Sequence, residues 1–210
     1  HQTTAYEEFY RDVRNSESIA LTLDELNTIR KLDLSDSPRL SRVRDHFLLQ
    51  LYSGMRYGDL ITLKPHHFDL QSGVIRFTTK KTDTRCIIPI TRPMKEILNK
   101  YPSLLFEFTS SVKQNLYLKE LAQRAEISQQ TEIIRFSAGK RVEEIKSRGE
   151  LLTTHVARRT FASLSIRYGV PEAVIASVTG HSPKGMLQSH YIRLDEQSIC
   201  EMVCNAWERL

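Results

Sequence analysis

Leu40, Val43, Phe47, Leu48 and Leu51 recur at helical spacing and run into Gly54, and this stripe narrows the fold more than any other feature of the chain. Apolar residues three and four apart bury one face of a helix. A glycine just past the last of them lets the backbone leave it. Upstream, Thr22-Leu23-Asp24-Glu25 has the form of a capping box, opening a helix anchored by Leu26 and Ile29. Downstream, Val74–Thr79 and Arg85–Ile90 are β-type runs around Lys80–Thr84, which reads as a hairpin turn.

Helical patterns return at Pro93–Lys100 and Val112–Glu126, and a second hairpin is expected around Ile133–Lys146, turning at Ala138-Gly139. Thr154 is expected to cap a helix running to about Tyr168, with Pro171 in the first turn of the next. Thr179-Gly180-His181-Ser182 reads as the start of a further helix. Ile199, Met202, Val203 and Trp207 form a last amphipathic stripe. The fold class is therefore α+β, mainly α-helical with a small antiparallel β-sheet.

At 210 residues, 40% hydrophobic and 26% charged, the chain reads as soluble and globular. No apolar run approaches the roughly 18–20 residues that span a bilayer, so no membrane partner is expected. Cys86, Cys200 and Cys204 form neither a metal pattern nor an even disulfide set, which suits a reduced, cytoplasmic protein. Net charge is +5, and between Ile133 and Arg167 eight Lys/Arg outnumber three Asp/Glu. That basic block suits a polyanion or, more blandly, a solvated face.

Six residues in short contexts carry the chemistry. Arg56, in Ser53-Gly54-Met55-Arg56-Tyr57-Gly58-Asp59-Leu60, stands at a break between helices. Its guanidinium can fork two hydrogen bonds onto a phosphate, Asp59 can orient it, and the next helix's first amides are expected to face the same anion. Lys80 in the hairpin turn can protonate a leaving oxygen, with Lys81 a rival. His155 and Arg158, three apart in Thr154-His155-Val156-Ala157-Arg158-Arg159, share one helical face near a positive N-terminal end. Arg159 faces elsewhere or meets the backbone of a polyanion. His181, after Gly180, can share a proton with a nucleophile or bond the phosphate. Tyr191, in Ser189-His190-Tyr191-Ile192-Arg193, is a phenol whose attack at neutral pH needs a base and nearby positive charge. Taken singly, each has a bland reading: an ion pair, a solvated lysine, a packed histidine, an ordinary tyrosine.

Taken in order, Gly-Met-Arg-Tyr-Gly-Asp, a lysine 24 positions after Arg56, His-x-x-Arg, and Gly-His ahead of a tyrosine resemble the tyrosine recombinase (phage integrase) family. The resemblance covers the catalytic domain from about Thr22 onward. The segment Gly139–Thr160 looks like integrases of bacterial mobile elements, including those of Bacteroides-type bacteria. The resemblance implies that Tyr191 attacks the scissile phosphate to form a 3′-phosphotyrosyl link. Arg56 and Arg158 would hold the phosphate, Lys80 would protonate the departing 5′-hydroxyl, His155 would act as general acid/base and His181 would assist. It implies no metal and no cofactor, double-stranded DNA attachment sites as partner, and a homo-tetramer on DNA. The state without DNA is left open, a monomer being one reading.

Residues 1–20 are then expected to be a linker from a missing N-terminal core-binding domain, 21–194 the catalytic domain, and 195–210 a C-terminal helix packed on its own core or exchanged between protomers. A bacterial, nucleoid-associated location follows. Type IB topoisomerase-like nicking and resealing is an alternative, as is a DNA-binding protein with a disabled active site. One departure stands out: His181 and Tyr191 are ten positions apart, one more than is usual in the family. Either the Ser182–Gly185 turn absorbs the added residue or the tyrosine sits differently.

Overall fold

The computed structural model describes residues 19–137, 140–180 and 195–209. The capping box forms as expected. Thr22 Oγ1 accepts from the Glu25 amide at 3.2 Å and Glu25 Oε2 accepts from the Thr22 amide at 2.8 Å. They open α1 (Leu23–Lys31), whose Leu26 and Ile29 are buried. The apolar stripe becomes α2 (Pro38–Ser53), which buries Leu40, Val43, Phe47, Leu48 and Leu51 and ends at Gly54 in the left-handed region, φ 64°.

A single turn, α3 (Tyr57–Leu60), follows. The small sheet then runs β1 (Phe68–Asp69), β2 (Val74–Thr78) and β3 (Arg85–Pro89), antiparallel in that order, with Arg76 opposite Ile87 and Thr78 opposite Arg85. Strand β1 is an addition to the sequence reading; two residues are too few to show alternation. Helices α4 (Arg92–Leu98) and α5 (Ser111–Arg124) come next.

The second hairpin is β4 (Gln130–Ser137) with β5 (Lys140–Ser147), Ser137 opposite Lys140; the turn at Ala138-Gly139 lies outside the described residues. Its base is anchored by Arg148, whose Nη2 donates to the Ala20 carbonyl and to Glu25, both at 2.7 Å. The chain closes with α6 (Thr154–Arg167), α7 (Glu172–Thr179) and α8 (Glu196–Trp207).

Helix α2 is the spine, packed against α4, α5 and α6. Helix α8 lies on its own chain. Trp207, fully buried, stacks on Phe161 of α6 at 5.5 Å and meets Tyr52 edge-on at 5.7 Å, while its indole N–H donates to Ser165 at 3.1 Å. Cys86 is buried and Cys200 and Cys204 are half-buried, all free thiols. No helix among the described residues is long and apolar enough to cross a membrane.

Two expectations about helix ends are corrected. The N-cap of α6 is Thr153, not Thr154, and its side chain makes no capping bond; the first amide, Thr154 N–H, is instead taken by Asn115 Oδ1 at 2.8 Å. Thr179 is the last residue of α7, and the helix start expected at His181-Ser182 lies outside the described residues. Gly180, at φ 65°, is the C-cap of α7 and its N–H bonds the Ala176 carbonyl. Pro171, expected in the first turn of α7, is its N-cap.

His46 on α2 gives the core a measurable acid sensitivity. It is 2% exposed, its ring centroid lies 4.5 Å from that of Phe108, and its buried Nε2 has no hydrogen-bond partner among the described residues. Burial pushes its pKa from 6.5 down to about 4, against the attraction of Asp45. The unfolded chain therefore binds the extra proton first. Stability is full above pH 6.5 and falls as pH drops toward 4, by about 3 kcal/mol over that window. His46→Phe should flatten that part of a urea-midpoint profile; parallel slopes in the two proteins would exonerate His46.

Candidate active site

Four of the six candidate side chains fall within the described residues, and three of them, Arg56, Arg158 and His155, converge where α2 ends, α6 begins and the β2–β3 turn folds over. The convergence starts at Gly54. A Cβ there would lie 2.5 Å from Phe161 Cδ1, so only glycine lets α6 approach the end of α2 so closely. The Gly54 carbonyl then accepts from Arg158 Nη1 at 2.9 Å. Arg158 is 5% exposed. Burial, with the nearby Arg56 charge adding to it and Asp59 and Cys86 opposing, pushes its guanidinium down to about 10.

Arg56 is the N-cap of α3. That helix is only four residues long, so the expected contribution of its amides to anion binding is not supported; the guanidinium itself carries the charge. Arg56 Nη2 reaches the Gly180 carbonyl at 3.5 Å, and Nη1 lies 3.8 Å from Asp59 Oδ2. Both Nη1 and Oδ2 are buried without a hydrogen-bond partner among the described residues. The pair is thus held at the distance of attraction but short of a bond.

Asp59 does more than face Arg56. Its Oδ1 accepts from the backbone N–H of Lys80 at 3.0 Å, so one buried carboxylate serves both the guanidinium and the turn that carries the candidate lysine. The turn is closed by its threonines: Thr79 Oγ1 pairs with Thr82 Oγ1 at 2.7 Å and accepts from the Thr84 amide at 3.0 Å. The Lys80 and Lys81 side chains are both exposed, and nothing in the turn separates their roles. Gly180 packs on this turn. A Cβ there would lie 2.7 Å from Thr79 Cγ2 and 2.9 Å from Cys86 Sγ.

His155, in the first turn of α6, keeps an exposed edge. Partial desolvation, then the charges of Arg159, Arg158 and Arg56, hold its pKa below the ordinary histidine value. The arrangement is a neutral imidazole beside clustered guanidiniums, and an anion among them would relieve their mutual repulsion. His181 and Tyr191, with the Ser182–Gly185 turn, lie outside the described residues. No group of three or more His, Cys, Asp or Glu among the described residues could hold a metal. Asn115, which caps the helix bearing His155 and Arg158, left no trace in the sequence pattern, because its partner is 39 positions away.

A half-buried Arg56 and a buried Arg158 meet at the junction of a helical core and a small antiparallel sheet, and the whole has the fold of a tyrosine recombinase catalytic domain, which solved structures of that class match. XerA recombinase superposes with a TM-score of 0.57 at 23% identity over 88% of this chain. The lambda integrase catalytic core gives 0.56 at 21%, covering 82% of this chain and 95% of that one. The Tn1549 transposon integrase, solved in complex with circular intermediate DNA, gives 0.56 at 14%. The chain belongs to the phage integrase family, whose sequence model matches residues 19–198. A protein of Sinorhizobium fredii named as the integrase/recombinase y4gC is 25% identical over 143 residues, 66% of this chain and 71% of that protein. This chain spans 63% of the XerA structure and 64% of the Tn1549 one.

Proposed function

We propose that this chain is the catalytic domain of a site-specific DNA recombinase that integrates or excises a mobile genetic element through a 3′-phosphotyrosyl intermediate. The observation that carries the proposal is that Arg56, paired with the buried Asp59 carboxylate that also holds the Lys80 turn, and Arg158, bonded to the Gly54 carbonyl two residues before Arg56, are brought together at the end of α2 although distant in sequence.

The proposed chemistry follows from those groups. The Tyr191 phenol oxygen attacks the scissile phosphorus, and the bond from phosphorus to the 5′-oxygen breaks. Arg56 and Arg158 face the non-bridging oxygens, where charge builds in the pentacovalent transition state. Lys80 gives its proton to the departing 5′-oxygen. His155, neutral at pH 7, accepts the phenol proton with His181 assisting, and returns it when a 5′-hydroxyl attacks the phosphotyrosine to reseal the strand. The covalent link keeps the energy of the broken bond, so resealing needs no nucleotide. On DNA the proposed assembly is a homo-tetramer, with α8 free to dock on a neighbouring protomer as it docks here on its own α6. The proposed location is the bacterial cytoplasm, at the nucleoid.

The test is covalent trapping on attachment-site DNA carrying a nick beside the cleavage position, so that the short product diffuses away. A denaturant-resistant adduct is expected, and mass spectrometry should find the nucleotide on the peptide containing Tyr191. DNA binding without any adduct would favour a binding protein with a disabled site. An adduct that relaxes supercoils and yields no recombinants would favour the topoisomerase-like reading.

A further inference from the structure

We propose that Asn115 is a positioning residue for strand cleavage, its carboxamide oxygen fixing the end of α6 that carries His155 and Arg158. This inference rests on the recombinase reading of the site.

Three other helices are capped by a side chain at their own start: Thr22 for α1, Ser110 for α5 and Asp195 for α8. Helix α6 is not, since Thr153 makes no side-chain cap. Its first amide is satisfied from another helix, by Asn115 Oδ1 at 2.8 Å. A local cap travels with its helix wherever the helix moves. A cap from α5 ties the helix end to a neighbour, so it fixes position as well as satisfying an amide.

The neighbour is itself fixed. Gln114, next to Asn115 and fully buried, donates from Nε2 to the Val43 carbonyl of α2 at 3.0 Å. Helix α6 returns to the end of α2 through Arg158 Nη1 and the Gly54 carbonyl at 2.9 Å. Helices α2, α5 and α6 are therefore joined in a closed triangle by three polar fasteners. One corner is a candidate phosphate-holding arginine, and another is the amide immediately before His155.

Asn115 is not part of the apolar packing. The buried residues of α5 are Gln114, Leu118, Leu121 and Ala122, whereas Val112 and Leu116, which flank Asn115, are 77% and 63% exposed. Removing its side chain leaves the core intact and opens the triangle at the active-site corner.

The experiment uses the full natural chain, with Asn115→Ala and Asn115→Asp, in single-turnover cleavage of the nicked duplex. Asn115→Ala should slow adduct formation by 10- to 100-fold while DNA affinity stays within threefold. Asn115→Asp, which still offers an acceptor to the Thr154 amide, should recover most of that loss. In parallel, amide hydrogen exchange on the free protein should quicken at Thr154–Val156 in the alanine variant and not in α5. Alanine cleaving within twofold of wild type, aspartate as slow as alanine, or unchanged exchange would each overturn the proposal. Failure of the wild-type protein to form an adduct, with the exchange effect present, would instead strike the recombinase reading and leave the cap standing.

Discussion

Arg158→Ala is expected to slow formation of the protein–DNA adduct by a hundred- to a thousandfold or more, the range seen when one fixed transition-state donor is removed. The side chain is 5% exposed and is aimed by the Gly54 carbonyl at 2.9 Å. That bond fixes the plane of the guanidinium at the end of α2. Burial and the Arg56 charge already hold its guanidinium down to about 10, so the folded chain carries a charge that the bare site disfavours and that a phosphate would complement. Lysine is a poor substitute, because one ammonium cannot span the carbonyl and two phosphate oxygens in a fixed geometry. Arg158→Lys should therefore remain at least tenfold slow in single-turnover cleavage. A lysine variant within threefold of wild type would show that Arg158 does not grip the phosphate.

Gly54→Ala is expected to lose about 2–5 kcal/mol of stability, combining a left-handed backbone with an overpacked contact. Its φ is 64°, and the new methyl would stand 2.5 Å from the Phe161 ring. Phe161 stacks on Trp207, so it cannot yield without disturbing the seat of α8. Gly73 supplies the control, with a similar φ of 68° but nothing within 4 Å of the added Cβ. Gly73→Ala should cost only the backbone part, about 1–2 kcal/mol. Urea denaturation of both variants decides the matter; equal losses would mean that the Phe161 contact contributes nothing. Because the Gly54 carbonyl also aims Arg158, only the Gly54 variant should lose cleavage activity under conditions where both remain folded.

What was legible in the sequence was whatever is written in local chemistry. Thr22 and Glu25 lie within one helical turn, so their reciprocal bonds were readable as a motif. The α2 stripe and the β2 and β3 runs were readable as periods. The identity of Arg56, Lys80, His155 and Arg158 as candidates came from motif order rather than from any single environment. The helix ends were harder. Thr154 and Thr153 are chemically alike, and the choice between them was made by Asn115 from another helix. Gly180 reads only as part of a helix opening, and its place as the stop of α7, packed against Thr79 and Cys86, depends on segments distant in sequence. Asp59 could be read as a partner for Arg56, but its bond to the Lys80 amide joins segments 21 positions apart and left no local trace.

The triangle of α2, α5 and α6 bears on how such a protein can vary over descent. Its three fasteners, Gln114 to Val43, Asn115 to Thr154 and Arg158 to Gly54, do not pass through the chain that links α5 to α6. That interval, occupied here by the hairpin Gln130–Ser147, is released from the duty of setting the arginines' spacing. Insertions or deletions in that hairpin beyond its Arg148 base can therefore accumulate without erasing the geometry of the phosphate-facing groups, which gives a lineage room to trial new surfaces next to an unchanged catalytic frame.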